Sequence, residues 1–493
     1  MKKYLFAVLL ITAVVMTGCK TGIFGETETA APIEPAAPPA PVVVDGVRTS
    51  YADVVEKTSA AVVRIEAVSK GNPVRQQQFP FGDDDFFRQF PGPRQQQRPP
   101  TERGLGSGVI VSSDGTILTN AHVIDGADKI TVLTVDNKSF DAKLVGFDKP
   151  SDLAVLKIEA QNMPYLTLGN SDNVRIGDIV LAIGNPLGIG QTVTAGIISA
   201  KGRRTGLSDG SFEDFLQTDA PINRGNSGGA LVNLNSELIG INSQILSGSP
   251  SGGNIGIGFS IPSNMAKSVM EQLLKDGRVR RGMLGVNIQN ITAETAQALE
   301  LQDASGVLVS NVRSGSAADK AGIKRGDIIT AVNGEKIEDS NVLRNKVAGT
   351  LPGSEIRLTV LRNGAPQEVT ATLEEFEMAD GTDPNATPNN RPDAPEGQAE
   401  HGKLGLSLQP VTPQVAKQLG LASENEGLVV TDVDASGAAA EAGITRGDVV
   451  LEINRQSVNS TEAVQSALAN SGAKPILLLI SRKGQTIYLT VTP

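Results

Sequence analysis

The rhythm of apolar and polar positions changes several times along the chain, and each change marks a boundary. Tyr4 to Met16 is an almost unbroken apolar run behind Lys2 and Lys3, closed by Thr17-Gly18-Cys19. It is shorter than the ~20 residues a membrane helix needs, and its charged start and small-residue end predict a secretory signal over residues 1–18. Residues 19–48 are rich in Ala and Pro, with Ala36-Ala37-Pro38-Pro39-Ala40-Pro41 at their centre, and predict an extended tether. Ser50 is placed to cap a short helix from Tyr51 to Lys57, after which Ala61 to Val68 alternates as a strand does. Residues 71–103 break the pattern with Gln, Pro and Arg, the acidic run Asp83 to Asp85, and Phe79, Phe81, Phe86, Phe87 and Phe90, predicting a long loop.

From Gly106 to Ile261 short apolar runs alternate with Gly, Asn and Asp turns. Val109-Ile110-Val111, Ile130 to Leu133, Leu153 to Ile158, Ile179 to Ile183, Ala230 to Val232 and Leu238 to Ile241 predict strands, and Ser113-Asp114-Gly115 a hairpin turn. The expectation is an all-β domain of sandwich or barrel type. Ser263 is read as the cap of a helix whose Met265, Val269, Met270, Leu273 and Leu274 share one face and which stops at Gly277. Beyond it the chain repeats itself. Gly306-Val-Leu-Val-Ser-Asn-Val answers to Gly427-Leu-Val-Val-Thr-Asp-Val, and Ala321 to Asp327 answers to Ala442 to Asp448, both 121 residues on. The expected organisation is residues 49–277 as one domain, 278–375 and 403–493 as two copies of a small module, and 376–402 as a polar linker.

Composition narrows the function. The 493 residues carry a net charge of −10, which would repel a phosphate backbone, so nucleic acid is not an expected partner. With 1 Cys and 2 His, neither a disulfide framework nor a Cys/His zinc site can be built, and no metal or cofactor is expected. The lone Cys19 follows Thr17-Gly18 in a setting that resembles the lipobox of bacterial lipoproteins. That resemblance implies lipidation at Cys19, membrane attachment through the lipid, and a periplasmic or other extracytoplasmic location.

The β-domain holds one candidate of each kind needed for nucleophilic hydrolysis: hydroxyl, imidazole, carboxylate and oxyanion donors. His122, in Thr119-Asn120-Ala121-His122-Val123, is its only histidine, since His401 lies in the linker. Ser227 lies in Gly225-Asn226-Ser227-Gly228-Gly229, where the glycines permit a tight turn that aims the N–H groups of Gly225 and Ser227 at one point. Gly225, Asn226 and Ser227 are therefore the candidate oxyanion loop. The loop lacks the Gly-Lys-Ser/Thr ending of a phosphate loop. Asp152 opens an apolar strand, a position that can hold a carboxylate against the imidazole, with Asp148 and Asp219 as alternatives by composition. The order His, Asp, Ser is one of the known triad orders.

Thr119 to Val123, Ser151 to Lys157 and Gln217 to Leu231 resemble the three signature blocks of the HtrA (DegP/Do-like) serine proteases, and the repeats resemble their PDZ modules. The likeness runs from about Ser50 to Pro493; Pro221 departs from it, standing where the family more often has Ala. It implies a mainly β protein: a chymotrypsin-like double β-barrel followed by two PDZ domains, with His122 as general base, Asp152 as its orienter and Ser227 as nucleophile. It also implies carboxylate-binding loops at Met283-Leu284-Gly285-Val286 and Lys403-Leu404-Gly405-Leu406, and a sensor role for Arg203. The implied partners are unfolded polypeptides and free C-terminal peptides, and the implied assembly is a homotrimer able to build larger cages. Two other readings stay open on the residues alone: a PDZ-based chaperone or scaffold that rarely cuts, and a regulatory protease with one signalling substrate.

Overall fold

In the computed structural model the described residues are 43–44, 47–70, 101–185, 190–205, 212–223, 225–246, 253–377, 404–419, 427–469 and 474–492. Cys19, the five Phe of the 71–103 stretch and Lys403 lie outside them. The chain divides into Met1–Asp53 and Val54–Pro493. In the first unit Val43–Val44 pairs with Val47–Arg48, and the Ser50 hydroxyl accepts the Ala52 N–H at 3.2 Å. A helix runs over Ala52–Ser59, one to two residues later than the pattern suggests.

The second unit begins with two closed six-stranded barrels. The first is built from β1 (Val62–Lys70), β2 (Thr101–Ser112), β3 (Thr116–Thr119), β4 (Lys129–Leu133), β5 (Ser139–Asp148) and β6 (Leu153–Ile158). They close in the order β1-β2-β3-β6-β5-β4, all antiparallel. β2 starts at Thr101, inside the stretch read as a loop, because Thr101 to Arg103 complete the ladder opposite Lys70 to Val68. The predicted hairpin turn is present: the Gly115 N–H bonds the Ser112 carbonyl at 3.1 Å, with Gly115 at φ 84°. Closure removes sheet edges and turns alternate side chains into the barrel, where Ile65, Ile110, Ile117, Leu118, Leu153 and Leu156 are fully enclosed.

The second barrel comprises β7 (Ile179–Gly184), β8 (Thr192–Arg203), β9 (Phe215–Thr218), β10 (Ala230–Asn233), β11 (Leu238–Ile245) and β12 (Gly258–Pro262), in the order β8-β9-β12-β11-β10-β7. Its core gathers Val180, Ile198, Leu216, Ile222, Leu231 and Ile239. Between β3 and β4 a single turn, α1 (Ala121–Ile124), carries His122, and α2 (Ser263–Asp276) follows the second barrel. α2 ends at Gly277 with φ 69° as expected, but its start differs. Pro262 occupies the cap position, and the Ser263 hydroxyl donates to the Gly169 carbonyl at 2.7 Å, so a tertiary bond has taken the side chain that local sequence assigned to capping.

Two further antiparallel sheets follow, each with its own apolar core. The repeat is structural as well as sequential. Asp327 is held bidentately by Arg362 at 2.7 and 2.6 Å, and Asp448 by Arg482 at 2.8 and 2.7 Å. Each Arg also reaches a carbonyl, Gly322 or Gly443, at 2.7 Å. A third cluster, containing Ile291, Leu308, Ile328, Leu477, Leu479 and Tyr488, joins the two sheets, so the repeats share apolar surface.

Candidate active site

Asp152 is the pivot of the site. It follows a 3-10 turn, Lys149–Ser151, capped by Asp148, and takes a left-handed backbone at φ 54°, ψ 42°, a conformation that Asp tolerates better than most residues. That twist lets one residue bond in two directions. Its carbonyl accepts the Ala121 N–H at 3.2 Å and the Asn120 Nδ2 at 3.0 Å, which docks α1 onto it. Its carboxylate accepts the His122 backbone N–H at 3.0 Å, the His122 Nδ1 at 2.8 Å and the Ser243 hydroxyl at 2.9 Å. The alternative carboxylates are occupied elsewhere. Asp148 binds Ser151 and Arg281, and Asp219 accepts the Ile197 N–H at 2.7 Å.

With Nδ1–H donated to Asp152, the neutral imidazole presents Nε2 as a proton acceptor. Burial opposes the imidazolium, but the hydrogen bond and charge of Asp152 outweigh it, so the His122 pKa lies above its ordinary 6.5. The ring is half exposed, so a substrate can reach it.

Ser227 stands on the turn between β9 and β10 of the other barrel. Gly225 (φ 99°) and Gly228 (φ 80°) supply left-handed backbone on either side, and a Cβ at Gly228 would lie 2.1 Å from the Ser107 carbonyl. Within the turn the Asn226 N–H goes to the Asn223 carbonyl at 3.0 Å and the Gly228 N–H to the Asn242 carbonyl at 2.8 Å. The N–H groups of Gly225 and Ser227, and the Ser227 hydroxyl, have no acceptor or partner among the described residues. Two donors and a hydroxyl are thus left for a ligand, and the loop comes close to α1: a Cβ on Gly106 would meet both Val123, the neighbour of His122, and the Ser227 carbonyl. That arrangement has the parts for acyl transfer.

The other candidate positions fall in three places. Met283 pairs with Glu374 in a two-residue ladder, and buried Leu284 accepts the Ala318 N–H at 2.8 Å through its carbonyl. Gly285 (φ 81°) accepts the Arg313 N–H at 2.9 Å. Val286 then opens β13 (Val286–Asn290), which lies at the edge of its sheet and among the described residues pairs only with Val307–Val312. In the second repeat Leu404 and Leu406 line an apolar pocket with Leu408, Ile453, Val464 and Leu468, and Gly405 sits at φ 75°. Arg203 ends β8, where its Nε donates to Gln217 at 3.1 Å.

Some contacts at the site have no local signal in the sequence. Ser243 reaches Asp152 from 91 residues away, and Ser107 reaches Gly225 from 118. Arg281 clamps the buried Asp148 bidentately at 2.8 and 2.5 Å from 133 residues away. Arg281 also lies over the Phe212 ring at 4.6 Å, and the Phe212 N–H bonds the Pro150 carbonyl at 2.8 Å. Helix α3 (Ser340–Gly349) adds Asn341 and Asn345, which both donate to the Glu213 carbonyl, at 2.9 and 2.7 Å. The first repeat is therefore fastened to the turn that precedes Asp152.

Two closed barrels, with an imidazole–carboxylate pair on one and a glycine-bracketed serine loop on the other, have the architecture of the trypsin-like class of proteases. Residues 106–241 match the trypsin-like peptidase domain, and residues 282–373 and 429–482 match PDZ domains. A probable periplasmic serine endoprotease, DegP-like, of Chlamydia trachomatis is 43% identical over 451 residues, covering 88% of this chain and 87% of that protein. The periplasmic pH-dependent serine endoprotease DegQ of Escherichia coli is 41% identical over 448 residues, covering 89% and 90%. Among solved structures, an HtrA-type protease AlgW with tripeptide superposes with a TM-score of 0.54 at 42% identity, covering 67% of this chain and 99% of that one. The chain belongs to the HtrA-type, DegP-like family of periplasmic serine endoproteases.

Proposed function

We propose that this serine endopeptidase cuts unfolded or mislocalised envelope proteins, with Ser227 as nucleophile, His122 as general base and Asp152 as its orienter. The observation that carries the assignment is the bonded Asp152–His122 pair, together with a serine loop of the other barrel whose Gly225 and Ser227 N–H groups have no acceptor among the described residues. Ser227 Oγ attacks the scissile carbonyl carbon and its proton passes to His122 Nε2. The carbonyl oxygen becomes an oxyanion held by the N–H groups of Gly225 and Ser227. Collapse expels the amine, which takes the proton from His122, and water repeats the sequence on the acyl-enzyme. The Asp152 carboxylate holds the ring in this orientation and stabilises the imidazolium.

The edge position of β13 and the left-handed Gly285 support capture of an extended C-terminal peptide by strand addition, with the carboxylate at the loop. The pocket walled by Leu404 and Leu406 supports an apolar last side chain in the second repeat. Capture at either module raises the local concentration of an unfolded chain at the barrels. The same pocket supports holding unfolded chains as a chaperone does. The N-terminal pattern supports export, lipidation at Cys19 and tethering to a membrane from the periplasmic side. The family supports a homotrimeric assembly.

The test is cleavage of reduced casein by the mature chain beside Ser227→Ala. Loss of ~10⁶ in kcat with peptide binding retained is the expected result. Equal cleavage by both proteins would remove Ser227 from the mechanism.

A further inference from the structure

The Ser227 loop is soft by composition, since Gly225 and Gly228 bracket it and neither has a side chain to restrict rotation. An oxyanion site works only if its donors are already aimed, so something must hold the loop. Peptide by peptide, the hydrogen bonds show what does. The Gly225 carbonyl and the Asn226 N–H belong to one planar unit: its oxygen accepts the Ser107 hydroxyl at 2.5 Å and its N–H goes to Asn223. The Ser227 carbonyl and the Gly228 N–H belong to another: its oxygen accepts the Ser107 backbone N–H at 2.8 Å and its N–H goes to Asn242. Both units flanking the Asn226–Ser227 peptide are pinned at each end, and Ser107 supplies one pin of each. Between them, the Asn226 carbonyl accepts the Gly229 N–H at 2.9 Å, which turns the Ser227 N–H outward, uncommitted.

Ser107 lies on β2 of the first barrel and is fully buried. Its hydroxyl also accepts the Asn185 N–H at 2.8 Å from the end of β7, and its carbonyl accepts the Thr119 hydroxyl at 2.7 Å. The glycines around it allow the approach: a Cβ on Gly106 would lie 2.7 Å from Val123 and 3.3 Å from the Ser227 carbonyl.

We propose that Ser107 is a positioning residue that fixes the Gly225–Ser227 loop in its donor-outward form, so that one barrel sets the oxyanion site of the other. This rests on the reading of Ser227 as nucleophile and of Gly225 and Ser227 as the oxyanion donors. Removing the hydroxyl frees the Gly225 carbonyl and leaves the Asn185 N–H without its acceptor, while the backbone pin on Ser227 remains. Ser107→Ala lowers kcat ~10- to 100-fold, below the 10²–10³ of losing a whole oxyanion donor. KM for a short peptide substrate stays within about twofold. Affinity for a peptide aldehyde, which forms a tetrahedral adduct with the serine, falls in step with kcat/KM. The pH midpoint of activity is unmoved, because the His122–Asp152 pair is untouched.

The experiment measures kcat, KM, aldehyde affinity and pH profile for full-length wild type, Ser107→Ala, Ser107→Thr and Ser227→Ala. Recovery of most of the lost kcat and aldehyde affinity by Thr, which keeps the hydroxyl, supports the proposal and also decides it if the Ala protein does not fold. Unchanged kcat and aldehyde affinity in Ser107→Ala, with Ser227→Ala inactive, overturn it and leave the nucleophile standing. Equal impairment of Thr and Ala, or a shifted pH midpoint, overturns it as well. Full activity in Ser227→Ala instead overturns the reading on which it rests.

Discussion

The two barrels share a strand count and closure, yet they hold their chemistry by different means. In the first, side chains bond to side chains: Asp152 takes His122 and, from β11 of the second barrel, Ser243, so the carboxylate that orients the imidazole is fixed before any substrate arrives. In the second, the Ser227 hydroxyl is bonded to nothing among the described residues, and its loop is held at main-chain atoms, by backbone bonds and by the Ser107 hydroxyl on the Gly225 carbonyl. Each arrangement uses left-handed backbone, φ 54° at Asp152 and 99° at Gly225, and each needs tertiary bonds to keep it. A base must be electrostatically prepared, whereas a nucleophile must be aimed and left free to react. The division between side-chain and main-chain fixation follows from that difference.

Substitutions that break one barrel's share measure the contrast. Ser227→Ala, the largest expected loss at ~10⁶ in kcat, removes the nucleophile from the second barrel outright. Asp152→Asn acts on the first and should cost ~10⁴ in kcat, since an amide in that place favours the wrong imidazole tautomer. Single-turnover kinetics on a peptide ester separate them: the Asn variant still acylates slowly, and the Ala variant does not acylate. Equal residual rates would mean that the pair and the nucleophile are not separable as drawn.

The barrel strands that could be named from the sequence have short, β-branched apolar runs bounded by turn residues, whereas Ser139–Asp148 and Thr192–Arg203, whose positions are mostly exposed or half-buried and broken by polar and Gly residues, were not named. The repeat was legible as matching residues 121 apart, among them Asp327 and Asp448, which the structure places in matching ion pairs, Asp327–Arg362 and Asp448–Arg482. His122, Asp152 and Ser227 could be singled out because each sits in a local motif. Ser107, Ser243 and Arg281 could not, because their partners lie 91 to 133 residues away and only chain closure brings them together. Ser263 shows the reverse error: a sound local rule for capping lost its side chain to the carbonyl of Gly169, 94 residues distant.

Asp148 extends the comparison toward the first repeat. It caps the turn leading into Asp152 and is paired with Arg281, and both side chains are almost wholly enclosed, 6% and 7% exposed. Asp148→Ala leaves a buried guanidinium uncompensated, at a cost of about 3–5 kcal/mol, read as a fall in thermal stability of the full chain. Asp148→Ala/Arg281→Leu should recover much of it; no recovery would show that the cap, not the ion pair, carries the effect. A smaller effect comes from pH. Activity needs neutral His122, so it rises with pH and has its midpoint above 6.5, falling about tenfold per pH unit below that midpoint. Stability runs the other way: the raised pKa favours the folded protein below 6.5, and that contribution fades as pH rises through the folded value. A midpoint at or below 6.5 in peptide cleavage would contradict the Asp152 contact.

The smallest expected effect tests the second barrel's edge at the first PDZ module. Asp214 is pushed up to about 6, by burial first and then by Asp172 and Asp339, against the opposing Lys201 and Lys346. Asp339 caps α3, the helix whose Asn341 and Asn345 bind the carbonyl of neighbouring Glu213, so the repulsion bears on the barrel–PDZ contact. Unfolded, Asp214 ionises near 3.8. Between there and about 6 the folded chain holds the extra proton, so stability falls as pH rises through that window and is level on either side. Asp214→Asn removes the loss, gaining on the order of 1 kcal/mol at pH 7.5 and nothing near pH 4, against the steeper His122 effect on activity. Melting temperatures of the two proteins at pH 4.5 and 7.5 check it. A constant difference between them would mean that Asp214 is ionised throughout, and that the contact between barrel and module tolerates its charge.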